Sequence, residues 1–191
     1  LRGPTSGSWT AAETFERFTE LSPEWRHVHL SEFDDTGLAE AWTIINAIRN
    51  IKPMKDAPSV VAISKFLHFW NPRLFVIVDY EVIWRFVFGH RWLKQPINAM
   101  RGRIQAQMPD ATCPDAGMAC NLLSYLAVIR WSADLIRANP AIGISFAEHV
   151  RAHAKGDVTD LPLETYEGAA VEWLLLGLAH LPPAGVSVAD Q

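Results

Sequence analysis

Asp79 stands directly after a wholly apolar run, Leu74 to Val78, and directly before a helical pattern carrying Val82, Ile83, Phe86 and Val87. An aspartate placed there caps the helix by accepting from its free N–H groups. The same N–H groups and the helix dipole hold the carboxylate ionised, which suits it to stabilise positive charge developing on a substrate. The competing reading is a purely structural cap worth roughly 0.5–2 kcal/mol. On the preceding predicted helix, Ser64 and His68 share a face one turn apart, with Lys65 beside them. Such a polar strip either faces water or contacts phosphate. Arg73, just after the Pro72 turn, and Arg85, in the following helix, carry the same two readings.

Other residue pairs carry less. His149 and His153 have the i, i+4 spacing that can chelate a metal, but no third ligand accompanies them, and a solvated helix face is the expectation. His27 and His29 are read the same way. Cys113 and Cys120 are too few for a disulfide framework or a four-thiolate site, so the pair fits a reducing compartment. No Walker loop, Rossmann fingerprint or nucleophile elbow is present in the sequence. Neither a metal nor a cofactor is therefore expected.

The order of features from Ala57 to Gly89 resembles the core of the helix-hairpin-helix DNA glycosylase superfamily: a helix with small residues near its start, the Pro72 turn, the apolar run, then Asp79. The resemblance implies an all-α scaffold, DNA as partner, and Asp79 as the residue that stabilises the charged sugar or orients a water. Where the family's hairpin carries Gly-x-Gly, the stretch Ala57–Val61 has no glycine. Val60 and Val61 stand near the place of the family's Schiff-base lysine, so that role is not transferred to Lys65. The Ser64-Lys65-x-Leu67-His68, Pro72, Asp79 pattern also resembles uncharacterised bacterial proteins, from which no activity follows.

Charge is distributed in three blocks. Residues 49–103 hold ten basic and three acidic side chains, whereas both flanks are acidic and the whole chain carries −4. A basic centre of this kind either binds DNA or pairs with the flanks across helix packings. The eight tryptophans divide similarly: Trp42, Trp70 and Trp173 lie on or beside apolar stripes, while Trp84 and Trp92, among Arg85, Arg91 and Lys94, are the expected exposed rings.

These residues must be positioned by helices. Apolar residues recur at helical spacing over Leu38–Ile48, opened by Asp35 or Thr36, and over Val60–Trp70, capped by Ser59 and ended by Asn71-Pro72. Further helices are expected over 11–21, from Asp79 to Gly89, from Pro96 to about Met108, over Ala116–Ala138, from Ser145 to Gly156, and from Glu164 to His180. Tyr166, Ala170, Leu174, Gly177 and Leu181 form the expected buried stripe of the last. The pattern predicts an all-α multi-helix bundle: a flexible segment over 1–9, one helical domain over 10–181 and a tail over 182–191. No apolar run approaches the roughly 20 residues of a membrane span, and no signal peptide is visible, so the expected location is cytoplasmic. Two function classes stay open: a DNA-binding or glycosylase-like protein acting through Asp79, and a non-catalytic interaction or structural module.

Overall fold

The computed structural model describes residues 23–49, 59–108 and 116–181. The helix expected over 11–21, the terminal segments 1–9 and 182–191 and both cysteine side chains lie outside the described residues. Within them the chain folds into helices α1 (Leu38–Arg49), α2 (Val60–Trp70), α3 (Arg85–Gly89), α4 (Arg91–Gln107), α5 (Ala116–Ala138), α6 (Ala141–His153) and α7 (Glu167–Ala179). Short 3₁₀ turns link them, and the five residues Tyr80–Trp84 form a wide π turn that leads into α3. No strand occurs among the described residues, and the all-α expectation holds. No helix there is long and apolar enough to cross a membrane.

α5 is the axis around which the rest packs. Leu122, Leu123, Leu126, Val128 and Ile129 are buried along it, because a central helix is covered on more than one side. α4 lies along it and contributes Leu93, Ile97, Met100 and Ile104, an i, i+4, i+7, i+11 stripe facing the core. α2 contributes Val60, Ile63, Leu67 and Trp70, the face its sequence predicts. Polar ties fix the segment before α1 to the end of α5. Arg130 donates to Asp35 at 2.7 Å and to Asp134 at 2.6 Å, while Arg137 donates to the carbonyls of Ser31 and Phe33, each at 3.0 Å.

Several boundaries differ from the sequence reading. The cap before α1 is Asp34, whose carboxylate accepts from Thr36 N at 2.8 Å, so the chain enters α1 through a 3₁₀ turn over Asp35–Gly37. Pro96 lies inside α4 instead of opening it: the helix starts at Arg91, and burial of Leu93 outweighs the hydrogen bond that proline cannot donate to Trp92. α6 begins at Ala141, immediately after Pro140, so Ser145 and Glu148 lie within the helix and form no capping box. Ser59 precedes α2 in extended conformation, but its hydroxyl caps nothing.

The last helix differs most. The buried face of α7 is Gly168, Ala170, Val171 and Leu175, whereas Leu181 is 63% exposed and Gly177 is also exposed. Leucines fill this helix on nearly every side, so their periodicity does not select a face. What selects it is Gly168, which lets the helix backbone approach the carbonyls of Pro72 and Phe75. The true face is turned well away from the expected stripe, and Glu172 comes to stand at its border.

Candidate functional site

The segment between Asn71 and Asp79 is neither helix nor strand, yet Leu74, Phe75, Val76 and Val78 are buried. A buried, irregular backbone must find partners for its N–H and C=O groups outside regular ladders. Side chains from α2 and α5 supply three of them. Ser64 Oγ accepts from Val78 N at 3.1 Å, His68 Nδ1 lies 2.7 Å from the Phe75 carbonyl, and Tyr125 Oη donates to the Val76 carbonyl at 3.1 Å. The Ser64 hydroxyl also reaches Val61 O at 2.9 Å, within its own helix. Ser64 and His68 were expected on an exposed polar strip. Ser64 is instead fully buried and the His68 side chain only 13% exposed, because the extended run needs their polar atoms. Ser64 is thereby corrected from a phosphate-contacting residue to one that positions the run ending at Asp79.

Asp79 is half-buried and caps the π turn as its sequence position predicts, Oδ1 accepting from Val82 N at 2.6 Å. Close to it stands a residue that the sequence reading missed. Glu172, on α7, has a side chain 20% exposed with Oε2 3.9 Å from His68 Nε2. Burial pushes its carboxyl up, the negative charge of Asp79 pushes further, and Lys65 pulls back, leaving it at about 7. Burial shifts His68 the other way, below its ordinary range, despite the carbonyl that favours its protonated form. Both members of the pair thus prefer to be neutral. Because Nδ1 must carry a proton to donate to Phe75 O, the neutral His68 ring presents its Nε2 lone pair toward Glu172.

His68 of α2 and Glu172 of α7 thus meet at 3.9 Å, and the charges of Asp79 and the exposed Lys65 act on Glu172. Arg73 sits on the turn itself, its guanidinium 5.8 Å from the centre of the Tyr166 ring. Arg85 is exposed one turn into the helix after Asp79 and pairs with Glu81 at 3.0 Å. Trp84, expected to be exposed, is half-buried against Phe88 with ring centres 4.6 Å apart, and Trp92 is 58% exposed. His149 and His153 stack at 4.4 Å, and His153 Nδ1 bonds the His149 main-chain carbonyl at 2.9 Å, which occupies one ring nitrogen of His153. No group of residues suited to hold a metal occurs among the described residues.

No family model, curated protein or solved structure matches this chain. The site is therefore read from its own geometry. Burial and the neighbouring Asp79 charge raise the Glu172 carboxyl to about 7, the range in which a carboxyl can act as an acid near neutrality.

Glu172 also has a consequence for stability. Its folded value, about 7, lies above the ordinary 4.5 of a glutamate, so the proton binds the folded chain more tightly than the unfolded one. That contribution is complete below pH 4.5 and is lost as pH rises toward 7. His68 acts oppositely, because its lowered value costs stability as pH falls below about 6.5. Glu172→Gln separates the two. The variant is expected to melt above the parent at pH 8, with the gap closing as pH falls to 4.5, in paired thermal denaturations. A gap that does not change with pH would place Glu172 in an ordinary, solvated environment.

Proposed function

We propose that this chain hydrolyses N-glycosidic bonds in DNA on a helix-hairpin-helix glycosylase-like scaffold, with Asp79 and Glu172 in unequal roles. The observation that carries the reading is the carboxyl pair, in which Glu172 keeps its proton near neutrality next to the negative Asp79. Cleavage of such a bond needs a proton for the departing base and a negative charge for the sugar left behind. The base leaves with the bonding electron pair and takes the proton of Glu172. Asp79 offsets the positive charge that develops on the sugar. Water then adds to the anomeric carbon and returns a proton to the Glu172 carboxylate, closing the cycle. His68 anchors the run before Asp79 through Phe75 O and borders Glu172 with its second nitrogen. Lys65, Arg73 and Arg85, within the basic 49–103 region, supply positive charge for phosphates.

The test is release of free base from oligonucleotides carrying uracil, hypoxanthine, alkylated or oxidised bases, followed with pH. Asp79→Asn is expected to lower the rate about 100-fold, the usual cost of removing one electrostatic contact to a transition state. Activity is expected to fall above about pH 7 as Glu172 loses its proton, and Glu172→Gln should abolish that limb. Folded protein that releases no base from any of these strands would overturn the reading and favour a non-catalytic interaction module.

A further inference from the structure

A second surface lies beyond the carboxyl pair, where α3 passes into α4. Trp92, Phe69 and Tyr80 are the large aromatic side chains most exposed among the described residues; Phe69 meets the His68 ring at 6.2 Å, and Trp92 is braced by two rings. Its ring centre lies 6.0 Å from that of Phe86, edge to face, and 6.4 Å from that of His90, which in turn lies 4.8 Å from Phe86. The indole is thus held in place before any partner arrives, so little side-chain freedom is lost when something stacks on it.

Charge along the chain on either side of it is of one sign. No Asp or Glu occurs between Glu81 and Asp110, an interval that holds Arg85, Arg91, Lys94, Arg101 and Arg103. Arg85 and Glu81 pair with each other, and Arg101 reaches Ser124 at 3.3 Å, but Arg91 and Lys94 are both exposed in the first turn of α4. At 3.6 residues per turn, Arg91 stands between Trp92 and Lys94 around the helix, while Leu93 points into the core. An exposed ring with two cations further round the same exposed side of the helix matches one partner chemistry: a phosphate chain that carries accessible planar groups. A duplex keeps its bases stacked on one another, so only an unpaired strand can offer a base face to the indole.

We propose that the corner formed by Phe86, His90, Arg91, Trp92 and Lys94 binds single-stranded nucleic acid, one base stacking on Trp92 and neighbouring phosphates lying against Arg91 and Lys94. The surface stands independently of the hydrolysis reading. Fluorescence anisotropy with labelled oligo(dT), oligo(U), a duplex of equal length and a labelled polyglutamate tests it. Both single strands are expected to bind more tightly than the duplex and the polyglutamate, with affinity falling as salt rises. Trp92→Ala should weaken strand binding about tenfold or more and Trp92→Phe much less, since either aromatic ring can stack. Joint replacement of Arg91 and Lys94 by alanine should flatten the salt dependence. Circular dichroism checks that these exposed positions leave the fold unchanged. Equal affinity for duplex or polyglutamate, or Trp92→Ala binding like the parent, overturns the proposal. Base release is followed separately from strand affinity, so a failure of the hydrolysis reading is distinguishable from a failure of this one.

Discussion

Gly168→Ala is expected to destabilise the protein by about 3 kcal/mol, read as a lower denaturant midpoint at unchanged slope. A Cβ at this position would lie 2.6 Å from the Phe75 carbonyl oxygen and 2.7 Å from that of Pro72. Neither oxygen can swing away. The Phe75 carbonyl accepts from His68, and the Pro72 carbonyl accepts from Ala169 N at 3.1 Å. Relief must come from α7 moving off the turn, which also breaks the bond from Gly168 N to Arg73 O at 3.2 Å. Elsewhere in a helix, alanine for glycine would gain about 1 kcal/mol, so the sign of the effect isolates the close approach. Gly102→Ala in α4 is the matched control, because nothing lies within 4 Å of a Cβ built there. A Gly168→Ala protein as stable as the parent would mean that α7 does not dock this closely. The substitution should also reach the site, since Glu172 lies one turn further along α7. Once α7 lifts, the carboxyl regains water, and the pH dependence of stability assigned to Glu172 should shrink.

The same helix shows where the sequence stopped being informative. Faces of α1 and α2 were legible because apolar residues recur there among Glu40, Asn46 and Lys65, so periodicity points inward. Over Val171–Leu178 nearly every residue is apolar except Glu172 and Gly177, and several rotations of α7 bury comparable surface. A contact 96 residues away in the chain, Gly168 against the Pro72 turn, chooses among them. Glu172 was missed for that reason. Ser64 and His68 were found but given the wrong surroundings: the partners they satisfy belong to a buried run without ladder hydrogen bonds, and spacing alone does not show how such a run is held. Asp79 was legible in full as a cap, because a helix N-terminus after an apolar run needs an acceptor whatever lies around it. The same logic could have singled out Glu172, as a lone carboxylate in an apolar helix is expensive to bury without a task.

Asn71→Ala is expected to cost roughly 3–5 kcal/mol, comparable to Gly168→Ala, although it removes atoms where the other adds one. The side chain is buried at 1% exposure. Its Nδ2 donates to the carbonyls of Trp25 at 2.7 Å and Val28 at 2.9 Å, and its Oδ1 accepts from Arg73 N at 2.9 Å. Alanine leaves these three main-chain groups without those partners and opens a void among them, and each orphaned buried group costs about 1–3 kcal/mol. Asn71→Asp should be worse than alanine, although it is nearly isosteric and keeps the acceptor for Arg73. It turns an oxygen toward two carbonyl oxygens and asks a buried carboxyl either to ionise without a cation or to take up a proton. The order parent, then alanine, then aspartate at neutral pH is therefore the diagnostic outcome in chemical denaturation. An aspartate variant that gains stability steeply as pH falls would show that protonation restores one donor. If aspartate proves no worse than alanine at neutral pH, the two donated bonds contribute little, and the clasp on the turn must come from Leu30 N and Gly168 N on the Arg73 carbonyl instead.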